Sequence, residues 1–327
     1  MRHRISLIAK GQKDQAMLSL VGDIGGTNSR FALARDGHVL DASQRSYRND
    51  GFDSPVAAVL AFLQEMDAQV HAVCLGVAGP VQGDAVRLTN YPWRVEAAQI
   101  AQATGAGLVT LMNDLQAQGY ALHSLGGADV QTLVEGADAD PEASRLIIAV
   151  GTGVNAAVAF ADGGRVFVPP SESGHMALPL IDDTDFAIAA MIREELGHCP
   201  VEAALSGAGL ARLWRFFGGA DGALAEDVFA ACAEGDQTAE TAVRRQAAYL
   251  ARYVADLALV HLPMGGVFVA GSVGLALSRH FTETGFASMF HRPGPYEAIH
   301  RAIPIHAVPQ VQLTLRGCAT RLRQDLS

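Results

Sequence analysis

Short apolar runs broken by glycine turns alternate along the chain with longer stretches of helical periodicity. The first two apolar runs, 18–23 and 30–35, flank a glycine-rich turn, which is typical of a β-hairpin. A similar unit recurs later, with a strand at 145–150, a glycine turn at 151–153 and a second strand at 156–160. Because strands and helical stretches mix in both halves, the pattern predicts an α/β architecture with a duplicated core unit.

The remaining elements follow from the same periodicities. Strands are predicted at 72–78, 85–89, 108–112, 165–168 and 267–270, and helices at 55–66, 95–103, 184–196, 207–217, 224–233 and 239–262. In the last helix, Tyr249, Tyr253 and Leu257 recur at helical spacing, so this stripe is expected to face the core. No low-complexity linker separates the two halves, so their boundary is expected within packed structure.

Composition narrows the classes of function. With 327 residues and 50% hydrophobic content, the chain can bury the cores of two domains. A net charge of −10 offers no broad positive field for nucleic acid or an anionic membrane surface. No apolar run approaches the roughly 20 residues that a membrane-spanning helix needs. The four cysteines are scattered without metal-ligand spacing, so we expect free thiols in a cytoplasmic protein.

Lysine is confined to Lys10 and Lys13, both within the first 16 residues. A body without lysine excludes the Gly-x-x-x-x-Gly-Lys phosphate loop, the strand lysine of protein kinases and a pyridoxal Schiff base. Met17 stands directly before the first apolar run. We therefore interpret residues 1–16 as a flexible leader and leave them out of the fold prediction.

Two glycine turns are candidates for binding phosphate without a lysine. They are Asp23-Ile24-Gly25-Gly26-Thr27-Asn28 and Gly151-Thr152-Gly153. Glycine permits positive φ and close approach, so successive backbone N–H groups can converge on phosphate oxygens. Asp23 is suited to hold Mg²⁺ through water. An ordinary hairpin turn explains either turn alone, and the repetition favours the phosphate hypothesis.

Polar residues that suit a sugar and its phosphorylation follow the predicted strands. Asn113-Asp114 ends the strand 108–112, where side chains of open α/β sheets reach ligands, and an aspartate there can accept the proton of an attacking hydroxyl. Glu172, His175 and Glu202 offer acceptors for vicinal sugar hydroxyls. Taken singly, each has a more frequent explanation: helix capping for the Asn-Asp pair, a solvated surface carboxylate for Glu172 and Glu202, and a hydrogen-bonded loop histidine for His175.

In their order along the chain, these motifs resemble the bacterial glucokinases of the hexokinase, actin and heat-shock ATPase superfamily. The resemblance covers nearly all of residues 18–325. It is carried by Leu20 to Asn28, Gly83-Asp84, Leu88-Thr89-Asn90, Trp93, Asn113-Asp114, Gly151-Thr152-Gly153, Glu172-Ser173-Gly174-His175, Glu202, Leu205-Ser206-Gly207 and Gly265 to Gly271.

The resemblance implies a two-domain actin-like ATPase (ribonuclease H-like) fold with duplicated domains and an interdomain cleft. It implies a small α/β domain at 17–124 plus 309–327, a large α/β domain at 125–308, and a homodimer. The implied reaction is transfer of the terminal phosphoryl group of ATP, with Mg²⁺, to the 6-hydroxyl of glucose, giving glucose 6-phosphate.

The resemblance also implies roles for individual residues. Asp114 would be the catalytic base, and it would bind the sugar together with Asn113, Glu172, His175 and Glu202. The nucleotide phosphates would contact Asp23, Gly25, Gly26, Thr27, Asn28, Gly151, Thr152 and Gly153, and the adenosine would lie near Gly271 and Ser272. Mg²⁺ would be held by Asp23, through water.

Three positions depart from the family pattern. Asn155 stands where Gly-Thr-Gly-Leu-Gly has its last glycine, Ser173 replaces the first glycine of Glu-Gly-Gly-His, and Ala208 replaces the proline of Ser-Gly-Pro-Gly. These departures bear on nucleotide affinity and sugar preference and leave the chemistry in place.

Other functions remain as alternatives. One is a kinase of mannose, fructose or an amino sugar, and another is a catalytically silent sugar sensor, against which the intact Asp114 argues. A third, an actin-like ATPase without a sugar substrate, is disfavoured by the sugar-binding set named above. The repressor, open-reading-frame and kinase group is disfavoured because its cysteine zinc motif and preceding helix-turn-helix domain are absent.

Overall fold

The computed structural model describes residues 18–308 and 312–327, so the predicted leader at 1–16 lies outside the described residues. The chain divides into two compact units. One runs to Met112 and includes Cys318–Ser327, and the other is Asn113–Gly317. Within the described residues, no helix is both long and apolar enough to span a bilayer.

The first unit is built on a six-stranded sheet in the order β3-β2-β1-β5-β9, with β4 beside β2. A separate three-stranded sheet contains β6, β7 and β8. The elements are β1 (Leu18–Ile24), β2 (Asn28–Arg35), β3 (His38–Val39), β4 (Arg45–Arg48), α1 (Pro55–Glu65), β5 (Ala72–Val77), β6 (Val81–Gln82), β7 (Ala85–Arg87), β8 (Arg94–Glu96), α2 (Ala97–Thr104) and β9 (Leu108–Asn113).

Local sequence explains the central elements of this unit. All six residues of β5 are buried, as expected for a continuous apolar run covered on both faces. Helix α1 begins where Ser54 accepts a hydrogen bond from the N–H of Ala57 and Pro55 occupies the first turn. The predicted hairpin is confirmed, because β1 pairs antiparallel with β2, and β1 also pairs in parallel with β5.

The second unit contains a six-stranded sheet in the order β10-β15-β14-β11-β12-β13. Its elements are α3 (Asp114–Ala121), β10 (Gln131–Val134), β11 (Arg145–Val150), β12 (Val154–Asp162), β13 (Arg165–Phe167), α4 (Asp183–Leu196), α5 (Val201–Leu205), α6 (Gly207–Phe216), α7 (Ala225–Ala233), α8 (Gln237–His261), β14 (Val267–Ala270), α9 (Ser272–Ser278), α10 (Phe281–Thr284), α11 (Phe286–His291), α12 (Glu297–Ala302) and β15 (Ile305–Ala307). Helix α13 (Leu313–Leu326) supplies its residues from Cys318 onward to the first unit.

Strand pairing in the second unit sets the positions of its loops. Strand β11 pairs antiparallel with β12 and parallel with β14, with Ala149 opposite Ala270. The carboxyl ends of β11 and β14 therefore lie side by side, and so do the turns that follow them at Gly151 and Gly271. Strand β12 begins at Val154, before the predicted start at 156, because Val154 and Asn155 continue the ladder with β11.

Helix α8 supplies much of the apolar core of this unit. Tyr249, Tyr253 and Leu257 are at most 3% exposed, which confirms the stripe predicted from their spacing. Helix α3 packs against β11 and β12, which explains its place in the second unit. The domain boundaries at 124/125 and 308/309 stay a prediction, and all four cysteines are free thiols.

Candidate functional site

The first glycine turn is held from below by Asn49, a fully buried residue. The side-chain amide of Asn49 donates to the carbonyl of Gly25 at 2.8 Å, and its backbone N–H donates to the carbonyl of Thr27 at 2.9 Å. Ser29 Oγ donates to Asn49 Oδ1 at 2.8 Å, which fixes the amide. Within the turn, the N–H of Gly25 donates to the carbonyl of Asn28 at 3.0 Å. The turn is thus tied to the fold at both carbonyls.

Asp23, next to the end of β1, forms an ion pair with Arg30 on the neighbouring strand. Arg30 Nη1 lies 3.2 Å from Asp23 Oδ2, and the Asp23 side chain keeps 22% exposure. Burial raises the pKa of Asp23 above its ordinary value, and the charge and hydrogen bond of Arg30 offset part of that rise. The carboxylate therefore sits at the base of the turn with one oxygen directed to a cation.

The second glycine turn is joined directly to Glu202. The N–H of Gly151 donates to the carbonyl of Gly153 at 2.9 Å, which closes the turn. The N–H of Val154, the next residue, donates to Glu202 Oε2 at 2.9 Å. The N–H of Gly207, which begins α6, donates to the carbonyl of Gly151 at 2.9 Å. One candidate phosphate turn and one candidate sugar ligand are therefore neighbours.

The glycines of these two turns do not use the positive φ that glycine permits. None of Gly25, Gly26, Gly151 and Gly153 has a positive φ. The N–H groups of Gly25 and Gly151 are also engaged inside their turns. Residue 153 is a glycine because there is no space for a side chain. A Cβ there would lie 2.8 Å from Glu202 Oε2.

Asn113 and Asp114 join β9 to α3. Asn113 is the N-cap of α3, and its Oδ1 accepts the N–H groups of Leu115 and Gln116 at 3.0 and 3.3 Å. Asp114 Oδ1 also accepts the N–H of Leu115, at 2.9 Å. The helix-capping interpretation is thus correct for Asn113. The hydrogen bond from the N–H of Leu115 fixes the orientation of the Asp114 carboxylate in the first turn of the helix.

Glu172 is the N-cap of a single 3₁₀ turn, Ser173–His175, and His175 is the last residue of that turn. Both side chains are exposed, and the N–H of His175 donates to the carbonyl of Glu172 at 3.1 Å. The segment leading to this turn is anchored to α3, because Gln116 Nε2 donates to the carbonyl of Val168 at 2.7 Å. One hydrogen bond therefore connects the chain segment before the turn to the helix that carries Asp114.

Gly271 stands between β14 and α9, at the edge where the second glycine turn also lies. Its φ of 83° and ψ of 152° fall in a region that essentially only glycine adopts. A Cβ on Gly271 would lie 2.3 Å from the carbonyl oxygen of Val150. Ser272 then begins α9 as an exposed residue.

The second unit therefore gathers most of the candidates. Its elements bring the turn Gly151–Gly153 into contact with Glu202 and place Gly271 beside that turn. The chain segment with Glu172 and His175 is anchored to the helix of Asp114. Asp23 to Asn28 belong to the first unit.

No group of three or more metal-binding side chains occurs among residues 18–308 and 312–327. The lone carboxylate of Asp23 fits a Mg²⁺ ion that keeps most of its water and is otherwise bound by phosphate oxygens. Sequence reasoning did not identify Asn49, which lies in the polar stretch Arg48-Asn49-Asp50-Gly51 and carries no motif.

Known proteins resemble this chain over nearly its whole length. A family model for glucokinase matches residues 20–325. A glucokinase of Pseudomonas aeruginosa (strain UCBPP-PA14) is 34% identical over 319 residues, covering 94% of this chain and 96% of the relative.

Among solved structures, a glucokinase from an Antarctic psychrotroph has a TM-score of 0.84 at 26% identity, covering 95% of this chain and all of its own. A ROK family glucokinase from Streptomyces griseus, solved in complex with glucose and AMPPNP, has a TM-score of 0.63 at 20% identity, covering 94% of this chain and 99% of its own. The fold is therefore the mixed α/β fold of these sugar kinases. The resemblance inferred from the motifs is confirmed, and the chain belongs to the glucokinase family.

Proposed function

We propose that this chain is an ATP-dependent glucose kinase that phosphorylates the 6-hydroxyl of glucose. The observation that carries the proposal is the hydrogen bond between Glu202 and the backbone of Val154. It places a carboxylate suited to sugar hydroxyls at the exit of a turn suited to phosphate, within one unit of a chain that matches the glucokinase family throughout.

Asp114 is the catalytic base in this proposal. Its carboxylate accepts the proton of the sugar hydroxyl as that oxygen attacks the γ-phosphorus. The hydrogen bond from the N–H of Leu115 to Oδ1 fixes the carboxylate before substrate arrives. Asn113 caps the same helix, so its position and that of Asp114 are set together.

Glu172, His175 and Glu202, together with Asn113, bind the sugar hydroxyls. Carboxylates accept from hydroxyl groups, and an imidazole both donates and accepts. A sugar that leaves such groups unpaired is rejected strongly, which makes this set the source of sugar discrimination.

Each unit has one glycine turn whose backbone suits phosphate. In the first unit the contacts are Asp23, Gly25, Gly26, Thr27 and Asn28, and in the second they are Gly151, Thr152 and Gly153. The N–H groups of Gly25 and Gly151 form hydrogen bonds inside their own turns. Those of Gly26 and Thr152 are therefore better candidates for donating to phosphate. Gly271 and Ser272 lie beside the second turn and contact the adenosine.

Asp23 would hold Mg²⁺ through water, and the bound ion would neutralise phosphate charge. Burial raises the pKa of Asp23, and the charge and hydrogen bond of Arg30 offset part of that rise.

We also propose that the two units are copies of one actin-like architecture. In the first, β2 pairs antiparallel with β1, which pairs in parallel with β5. In the second, β12 pairs antiparallel with β11, which pairs in parallel with β14. The glycine turn follows the same strand in both arrangements.

A coupled assay of sugar 6-phosphate formation with ATP and Mg²⁺ tests the proposal. The sugars are glucose, mannose, fructose, galactose and N-acetylglucosamine, and we expect glucose to give the highest kcat/KM. A higher kcat/KM for another hexose would show that this hexose, and not glucose, is the substrate. Sugar binding without turnover of any hexose would contradict the kinase and favour a sensor.

A further inference from the structure

Ser173 links three elements of the second unit through its hydroxyl. Its Oγ accepts the N–H of Ala156 on β12 at 3.1 Å and lies 2.6 Å from the hydroxyl of Tyr253 on α8. Tyr253 is 1% exposed, and burial raises the pKa of its phenol to about 12, so the phenol stays neutral. A buried hydroxyl without a partner is costly, so this contact holds Ser173 against the core.

Asn155 binds the same segment from β12. Its Oδ1 accepts the N–H of Ser173 at 3.0 Å, and its Nδ2 donates to the carbonyl of Ser171 at 2.6 Å. The side-chain amide thus forms hydrogen bonds to the main chain on both sides of Glu172. We call Asn155, Ser173 and Tyr253 the Asn155 network.

The segment also lies directly on the strand. A Cβ on Gly174 would fall 1.8 Å from the carbonyl oxygen of Val154, so the main chain at 174 touches β12 where β12 leaves the second glycine turn. Asn155 and Ser173 are the two positions where the family pattern has glycine, and glycine has no side chain that could make these bonds. The two departures therefore act as one structural change.

We propose that the Asn155 network is a set of positioning residues that presets Glu172 and His175 for the sugar. The inference rests on the proposed function of these two residues. Asn155 and Ser173 act through the main chain of 171–175, which they hold before substrate binds. A preset segment loses less conformational freedom on binding, so the network lowers the KM for glucose and leaves the chemical step unchanged.

Steady-state kinetics of Ser173→Ala, Asn155→Ala and the double variant test this role. We expect the KM for glucose to rise about tenfold in each single variant, with kcat within about twofold of the wild type. Because both residues serve one network, the double variant should be little worse than either single variant. Tyr253→Phe, which removes only one hydroxyl, should raise KM about threefold.

Tyr249→Phe is the matched control. Tyr249 is as buried as Tyr253 and lies one helical turn earlier on α8, outside the Asn155 network. It should keep the wild-type KM. An equal rise in KM in Tyr249→Phe and Tyr253→Phe would overturn the proposal, because it would assign the effect to general loosening of the core.

Hydrogen exchange of the Ser173 amide in the sugar-free protein gives a readout that is independent of turnover. We expect exchange about tenfold faster or more in Asn155→Ala, since the acceptor of that N–H is removed. If the wild type is an active glucose kinase while the variants keep both wild-type exchange and wild-type KM, the network proposal is wrong and the proposed function stands. If the wild type phosphorylates no sugar, the proposed function fails, and the exchange rates alone decide whether the segment is held.

Discussion

One carboxylate oxygen of Glu202 accepts a hydrogen bond from the protein's own backbone. Oε2 accepts the N–H of Val154, and the space beside that oxygen exists because residue 153 is a glycine. The position of the Glu202 carboxylate therefore depends on the size of a residue in the neighbouring turn. This dependence can be tested without altering any polar group.

Gly153→Ala should raise the KM for glucose about tenfold, because the new Cβ would displace the Glu202 carboxylate from its hydrogen bond. The backbone at 153 does not have a positive φ, so alanine introduces no conformational strain there. Kinetics of the variant check the expectation. Adding Glu202→Asp, which withdraws the carboxylate by one methylene, should recover part of the loss. No recovery in the double variant would argue against the steric explanation.

Asp23 provides a prediction for the dependence of activity on pH. Its pKa is raised by burial above the ordinary 3.8, and Arg30 lowers it in part. The Asp23 carboxylate becomes protonated as the pH falls through that raised pKa. Arg30→Gln removes the opposing effect, so the acidic limb of kcat/KM for ATP should move to higher pH.

The control for this pH profile is Arg35→Gln, which removes a positive charge from the same strand but opposite Leu18 rather than Asp23. Arg35→Gln should keep the wild-type acidic limb. Superimposable limbs in the wild type and Arg30→Gln would show that Asp23 does not govern the profile.

At this scale the motifs identified most candidate residues, whereas their partners could not be predicted. Nothing in the sequence marks Asn49 as the support of the first turn, because its two bonds reach carbonyls 22 and 24 residues away. The bond between Asn155 and Ser173 is equally non-local. The sequence also does not show that Gly153 leaves room for the Glu202 carboxylate, because that side chain comes from a distant part of the chain.

The junction of β14, Gly271 and α9 joins two requirements at one residue. The chain must turn sharply from strand to helix, and the turn packs against the end of β11. Both requirements exclude a side chain. The element boundary at Gly271 was correctly placed from the glycines around the run 267–270.

Gly271→Ala should lower the free energy of unfolding by about 4 kcal/mol, which combines backbone strain with the contact to Val150. Gly285→Ala is the matched control. Gly285 also has a positive φ, 73°, but a Cβ there would meet no described atom within 4 Å. We expect it to cost about 1.5 kcal/mol, from strain alone. Urea denaturation followed by circular dichroism measures both values, and equal losses would contradict the packing contribution.

Elements with strong periodicity were predicted well, whereas two short strands were not. Strands β11 and β14 match the predicted bounds, and α8 begins two residues before its predicted start and ends one residue before its predicted end. Strands β10 and β15 were missed because each is short and is stabilised by pairing across a long sequence separation.

For the whole molecule, the repeated pattern of strand, glycine turn and strand indicated two related units. The sheets of both units show the pairing that this pattern implies. Helix α3 belongs to the second unit because it packs against β11 and β12. A sequence pattern does not encode such packing. The homodimer expected from the family resemblance stays a prediction, and sedimentation of the purified chain would test it.

The most direct test of the account is the turnover of Asp114→Asn with glucose and ATP, measured beside glucose binding by calorimetry. We predict that kcat falls by about three orders of magnitude while the Kd for glucose stays within about threefold. Asp183→Asn, the same substitution at the first residue of α4, should leave both values unchanged. Near-normal turnover in Asp114→Asn would contradict the account, because the proton of the sugar hydroxyl would then be accepted elsewhere.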